Sequence, residues 1–322
     1  MPSYDLIIIG AGIAGMTAAL GAARQGIGKI LVIEKESSVG GIINQCIHNG
    51  FGKKLIGEYV TGPEYIQYIK DEIQKENIEN IEIILNSNVL DINRDRVVTY
   101  VSPSEGVKEV NAKAIIFAMG AREKYSGNIM ISTNTLTGIF TVGEAQRIVN
   151  LDGYIPGKNA IITAKDRWGF LLARRLLIEG GSVSAVVLED SFKNVESKEI
   201  NDIIDGFGIS IIEKSRIIGI EGNTRISSVK LLNLEDGSTI NKECDCLLLS
   251  VGFIPETVRI KKLNIEIDER TLGPKINDYM TSTNGFFACG NIVYGEDVLK
   301  ISEIDGIECG EKAAAYIKKY FS

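Results

Sequence analysis

The pattern that most limits how this chain can fold lies in its first 34 residues. Tyr4-Asp5-Leu6-Ile7-Ile8-Ile9 is a short apolar, β-branched run of the kind buried in a parallel sheet. It passes straight into Gly10-Ala11-Gly12-Ile13-Ala14-Gly15, and Met16 to Gln25 reads as an alanine-rich helix ended by Gly26-Ile27-Gly28. A second strand follows at Lys29–Ile33, with Glu34 about 20 residues beyond Gly15. A bare G-x-G-x-x-G is weak evidence. A strand before it, a helix after it and an acid at that distance make the full dinucleotide-binding context. Gly10 permits the tight turn, Gly12 lets backbone approach a pyrophosphate, and Gly15 lets the helix pack on the strand. Ile13 and Ala14 complete the fingerprint, and the helix N-terminus supplies partial positive charge. Glu34 is placed to accept hydrogen bonds from an adenosine ribose.

The same glycines dispose of a membrane reading. Leu6–Ala23 is free of charge for 18 residues, close to the length of a span. It carries Gly10, Gly12, Gly15, Gly21 and Thr17, and no basic segment precedes it as in a signal peptide. With 44% hydrophobic and 24% charged residues, 34 glycines and only 6 prolines, disorder and collagen-like repeats are excluded. Lys and Arg number 35 against 42 Asp and Glu, so a net charge of -7 leaves no basic footprint for nucleic acid. Five cysteines without a C-x-x-C pair exclude a disulfide scaffold, a zinc ribbon and a thioredoxin-type dithiol. A single histidine, His48, excludes multi-histidine metal centres. A reducing cytoplasm is the simplest home.

Glu34-Lys35 leads through Ser37-Ser38-Val39 to Gly40-Gly41. Far downstream stand Ile115-Ile116-Phe117-Ala118-Met119-Gly120-Ala121-Arg122 and Thr283-Asn284-Gly285-Phe286-Phe287-Ala288-Cys289-Gly290-Asn291. On these motifs, in this order, the chain resembles the two-dinucleotide-fold flavoproteins, the pyridine nucleotide/flavin oxidoreductases. The resemblance implies FAD at the first site. Lys35, Gly40, Gly41, Ala118 and Gly120 then belong to that site, and Val89 sits where such proteins contact adenine through backbone. In those flavoproteins the last motif ends Gly-Asp, the acid binding the flavin ribityl chain. Here Asn291 follows Gly290, and its amide can still hydrogen-bond a hydroxyl.

Thr61-Gly62-Pro63-Glu64 is a capping box with proline at the first turn, opening a helix to about Glu76. Strands are expected at Ile81–Leu85, Val89–Asn93 and Val97–Ser102, followed by a small antiparallel excursion through Val107–Val110. A second βαβ unit is expected from a strand at 159–163, a helix at Gly169–Glu179 and a strand at Ser184–Leu188. It continues through a helix near Ser197–Gly206 into strands at Ile209–Ile212, Ile226–Leu232 and Cys246–Ser250. The fold class expected is α/β with two Rossmann-like dinucleotide-binding domains, the second inserted in the first: 1–122 and 253–322 for FAD, and 123–252 NAD(P)-binding-like. The chain ends at Ser322, so the carboxy-terminal dimerisation domain of the disulfide reductases is not expected.

Alignment by strand and helix places the second fingerprint at Ala164-Lys165-Asp166-Arg167-Trp168-Gly169. Only the packing glycine, Gly169, is kept. Asp166 falls where a pyrophosphate comes closest, and a carboxylate about 4 Å from a phosphate charge costs roughly 4 kcal/mol at an effective dielectric near 20. Lys165 and Arg167 could offset part of that, and Glu189 is placed for a ribose. NAD(H) or NADP(H) binding at Ala164, Asp166, Trp168, Gly169 and Glu189 is set against a fold relic.

The stretch Gly41-Ile42-Ile43-Asn44-Gln45-Cys46-Ile47-His48-Asn49-Gly50-Phe51-Gly52 holds one cysteine where disulfide reductases carry a redox pair. Two readings stay open. Cys46 could cycle through sulfenic acid with His48 lowering its pKa, as in peroxidase-like enzymes. Alternatively it is a small semi-polar residue packing against the ring, with His48 satisfied by backbone. Cys244, Cys246, Cys289 and Cys309 read as core.

The stretches 41–52, 138–147, 247–256 and 286–291 also look like the small FAD/NAD(P)-binding oxidoreductases of anaerobic bacteria. That resemblance implies an electron-transferring subunit partnered by a glycerol-3-phosphate dehydrogenase-like flavoprotein and a small cysteine-rich subunit. Tyr294-Gly295-Glu296-Asp297 departs from it, because relatives tend to carry histidine there. The expected function is an FAD-dependent oxidoreductase passing electrons between its flavin and NAD(P)H or a partner flavoprotein. The alternatives are a self-contained NAD(P)H oxidase or peroxidase using Cys46, and a non-catalytic flavin-holding subunit.

Overall fold

In the computed structural model the first strand is Ser3–Ile9, and four of its seven residues are fully buried. It pairs in parallel with Ile30–Ile33 on one side and with the carboxy-terminal half of Gly106–Phe117 on the other. Ile81–Ile84 and Phe286–Ala288 extend the parallel sheet at its two ends. The structure describes residues 1–76, 78–125, 136–295, 301 and 303–321. Glu296 and Asp297 lie outside them.

The chain folds as two units, Met1–Arg122 with Ile254–Ser322, and Glu123–Phe253. In the first, the helix Ile13–Arg24 packs against the final helix Asp305–Phe321 through small residues. A methyl group added at Gly306 would collide with Thr17 and Ala14, and one at Gly310 with Ala18. The helix Gly62–Lys75 opens on the expected capping box: Glu64 Oε2 accepts the Thr61 N–H at 2.8 Å while the Thr61 hydroxyl caps Glu64 N–H. Its buried face carries Tyr65, Ile66 and Ile69.

Three expectations need correction. The excursion expected at Val107–Val110 and the apolar run that opens the motif at Ile115 are one twelve-residue strand, Gly106–Phe117, antiparallel to Val97–Ser102 at its start and parallel to Ser3–Ile9 at its end. The first helix begins at Ile13 rather than Met16. In the second unit the parallel sheet runs Ile139–Thr141, Cys246–Ser250, Asn159–Ala164, Ser182–Val187, Ile211–Ile212. Ile226–Asn233 is not part of it. That strand is the middle of a separate antiparallel sheet with Ser215–Gly222 and Thr239–Glu243. Its buried residues Ile226, Val229 and Leu231 share a core with Ile161, Leu247 and Leu249 of the parallel sheet. Among the described residues, no helix is long and apolar enough to cross a membrane.

Candidate functional site

The motifs spread from residue 10 to residue 291 meet at the carboxyl end of Ser3–Ile9. Gly10 has φ +101°, and a methyl group there would stand 2.5 Å from the Ala118 carbonyl oxygen, so the turn needs glycine twice over. Gly15 lies against the Gly10 carbonyl, which is how the helix sits close on the strand. Gly12 differs from both. Its φ is -66°, an ordinary value for any residue, and no protein atom lies within 4 Å of where its Cβ would be. Nothing in the protein asks for glycine at 12, and the open space beside it lies at the helix N-terminus.

Gly40 pairs with Gly12 in an isolated parallel bridge and donates its N–H to Ala11 O at 2.7 Å, and Gly41 stands close to Gly12 Cα. Glu34 is 5% exposed; its Oε2 accepts the Ala11 N–H at 2.6 Å and its Oε1 the Glu36 N–H at 2.9 Å. The acid therefore braces the glycine loop, and each oxygen keeps a lone pair for a ribose hydroxyl. Lys35 is exposed, with Nζ 3.7 Å from Glu36 Oε1. Val89 lies half-buried on Asn88–Ile92, Ala118 is buried, and Gly120 takes φ +70°. Gly290 has φ +73°, and a methyl group on it would stand 2.5 Å from Ala14 Cβ. Asn291 begins the short helix Asn291–Tyr294. The residues fit FAD: a half-exposed backbone loop, a helix N-terminus and an acid, with open space at Gly12.

The expectation missed Asp305. Its carboxylate, 4% exposed, accepts the Gly290 N–H at 2.6 Å and the Tyr294 hydroxyl at 2.8 Å. A signal was present: Asp305 shares a helical face with Cys309, Ala313 and Ile317, all buried, so the acid faces inward too.

Around Cys46 the chain is not extended. Gly41–Gln45 forms a 3₁₀ turn that Cys46 closes, at 1% exposure, with its thiol donating to the Ile42 carbonyl at 3.6 Å. The His48 ring lies 5.7 Å from the Phe51 ring, and its Nδ1 is 3.1 Å from Asn49 O. All five cysteines are free and buried. Burial pushes the Cys244 thiol up to about 11 and Cys246 to about 12. Titration with an aromatic disulfide at pH 8 is therefore expected to find essentially no thiol in minutes on the native protein and five after guanidinium denaturation. A single rapid native thiol, lost in Cys46→Ser, would show that Cys46 is accessible.

In the second unit Ala164 ends its strand and Gly169 packs on it, a methyl group at 169 meeting Ala164 Cβ at 2.6 Å. Asp166 is the N-cap of the helix Arg167–Ile178. Its Oδ1 accepts the Trp168 N–H at 3.1 Å and the Ser250 hydroxyl at 2.8 Å. Trp168 is buried with the Arg167 guanidinium 5.4 Å from its ring centroid, and Arg167 pairs with Glu199 at 3.5 Å. Glu189 is exposed just beyond Ser182–Val187. Glu123 accepts the Gly143 N–H at 2.9 Å, and its carboxyl is pushed up by burial first, with Asp166 adding to it. The helix end at the second fingerprint position is thus capped by the chain's own carboxylate, where a G-x-G-x-x-G loop would have glycine.

The family model described as pyridine nucleotide-disulphide oxidoreductase matches residues 4–313. A ferredoxin–NADP reductase of Picrophilus torridus is 26% identical over 100% of this chain and 96% of its own length. A dihydrolipoyl dehydrogenase of Manduca sexta is 25% identical over 95% of this chain and 67% of its length. In fold, the chain is similar to the thioredoxin reductase of T. acidophilum (TM-score 0.78, 19% identity, 100% of both chains). It is also similar to the bacillithiol disulfide reductase of Bacillus cereus (TM-score 0.79, 19% identity, 98% and 99% covered). Members of the matched family bind FAD and NAD(P)H and are FAD-dependent oxidoreductases. The chain belongs to the pyridine nucleotide-disulphide oxidoreductase family.

Proposed function

We propose that this chain is an FAD-dependent oxidoreductase subunit whose flavin exchanges electrons with a partner flavoprotein more readily than with NAD(P)H. The first unit, 1–122 with 253–322, is the FAD domain, held by Gly10, Gly12, Ile13, Ala14, Gly15, Glu34, Lys35, Gly40, Gly41, Val89, Ala118, Gly120, Gly290 and Asn291. The inserted 123–252 is NAD(P)-binding-like. The observation that carries the reading is Asp166 on the helix end where a dinucleotide phosphate belongs. A carboxylate there opposes a phosphate in both shape and charge.

FAD supplies the redox chemistry when bound. The protein's part is to position it: the Gly12 backbone and the helix N-terminus receive the pyrophosphate, and Glu34 receives the ribose. Cys46 then serves as packing, which its burial and its bond to Ile42 O support. A glycerol-3-phosphate dehydrogenase-like flavoprotein, with a small cysteine-rich subunit, is the partner type the sequence likeness suggests. Free buried cysteines suit a cytoplasmic setting.

The test is an anaerobic titration of the purified yellow protein with NADH and then NADPH, followed through the flavin absorbance. Little reduction is expected at micromolar reductant, and full reduction is expected with dithionite. Rapid bleaching by micromolar NADH or NADPH would overturn the partner-first reading and make this a self-contained nicotinamide-linked enzyme.

A further inference from the structure

Among the described residues of the first unit, the buried acids are Glu34, which braces the glycine loop, and Asp305. Burial raises its pKa, and a charge so placed is costly to desolvate unless donors gather on it. Here they do. Gly290 N–H reaches Oδ2 at 2.6 Å and the Tyr294 hydroxyl reaches Oδ1 at 2.8 Å. The Tyr279 hydroxyl lies between Asp305 and Glu308, donating to Glu308 Oε2 at 2.6 Å. Gly290 follows the strand Phe286–Ala288, and Tyr294 ends the helix begun by Asn291. Gly290, with φ +73° and ψ -156°, is in a conformation open to glycine, and Ala14 stands against it on the other side. The turn is therefore gripped between the helix of the glycine fingerprint and Asp305. Residue 291, where the flavoproteins this chain resembles carry an acid, is an uncharged asparagine.

We infer that Asp305 is the positioning carboxylate of the flavin turn, holding the Gly290 main chain so that Asn291 is presented to the ribityl part of FAD. The inference rests on the proposed FAD site in the first unit. It divides between two residues what one acid does elsewhere: Asn291 offers the hydrogen bonds, and Asp305 fixes the backbone that carries them.

The variants are Asp305→Ala, Asp305→Asn, Asn291→Asp with Asp305→Ala, and Tyr294→Phe. Three quantities are read: flavin per chain after purification, FAD affinity from fluorescence quenching on deflavinated protein, and urea stability of the apoproteins. Asp305→Ala is expected to weaken FAD binding about 10- to 100-fold. Asp305→Asn is expected to fall between, because an amide oxygen can still accept Gly290 N–H while its NH₂ cannot accept from Tyr294. Tyr294→Phe leaves the Gly290 bond in place and should keep affinity within about threefold. The double variant should regain part of the loss, which a purely structural role would not produce. Asp305→Ala and Asp305→Asn binding FAD within about twofold of wild type would overturn the inference, as would a double variant no better than Asp305→Ala. Wild-type protein that takes up no FAD would instead overturn the reading of the site, and this inference with it.

Discussion

Gly12→Val is expected to strip the protein of FAD while leaving its apoprotein folded. The reason lies in the contrast among three neighbouring glycines. Gly10 needs its positive φ and has Ala118 O in the way of any side chain, and Gly15 has the Gly10 carbonyl in the way. Replacing either breaks the strand–turn–helix itself; overpacking of this kind costs about 1–3 kcal/mol or more. Gly12 has an ordinary φ of -66° and nothing within 4 Å of its missing Cβ. It is also the N-cap and makes no side-chain capping bond, so a valine costs at most about 1 kcal/mol of helix stability. A branched side chain there fills the path of a pyrophosphate, and FAD affinity should drop by at least about 100-fold. Urea unfolding of deflavinated wild type and Gly12→Val should agree to within about 1 kcal/mol. The holoproteins should differ by more, since a ligand at 100 times its Kd adds about 2.7 kcal/mol. Gly15→Ala should lose FAD and apoprotein stability together. A Gly12→Val protein that purifies with a full complement of flavin would mean that the fingerprint is a glycine turn without a ligand.

The amino-terminal unit was legible because its causes are local. An unbroken apolar strand, glycines at forced positions and an acid at fixed distance follow from backbone geometry within 34 residues. Gly106–Phe117 was harder, since its exposure changes midway: the first four residues are exposed and the last four buried. A strand solvated at one end and enclosed at the other reads as two elements. Ile226–Asn233 shows the opposite lesson. Past a register shift near its start, its burial alternates from Val229 to Leu231 as in a half-covered antiparallel strand, whereas Cys246–Ser250 is buried throughout, as a central parallel strand is. Both are apolar, and the difference in period separates them. Asp305 could not be paired with Gly290 by any such rule, because their contact joins a turn to a distant helix. Asp166 could be placed by counting along the fingerprint, but its bonds to Trp168 N–H and Ser250 could not.

Removing the charge at 166 should open the second site. Asp166→Gly restores the smallest residue at the closest approach, and as an N-cap it costs only a few tenths of a kcal/mol relative to aspartate. Full Coulomb repulsion would be about 4 kcal/mol at 4 Å and an effective dielectric of 20. The site is half-exposed, so solvent and salt screen most of that. NADH affinity is expected to rise about 10- to 100-fold, measured by quenching of NADH fluorescence. Asp166→Asn separates charge from shape. Its amide oxygen can still take the Trp168 N–H, so a gain in this variant is electrostatic, whereas a gain confined to Asp166→Gly is steric. Glu123 gives an independent reading. Its folded pKa is raised by burial and, secondarily, by Asp166. Its contribution to stability is therefore present in full below its unfolded pKa, about 4.3, and is lost as pH rises through the folded value. Taking away the Asp166 charge lowers that folded value and shrinks the loss, so Asp166→Asn should compare better with wild type in urea at pH 7 than at pH 4. If neither variant gains affinity for NADH or NADPH, the carboxylate is not what keeps a dinucleotide out, and the obstacle lies in the buried Trp168 and the packing behind it.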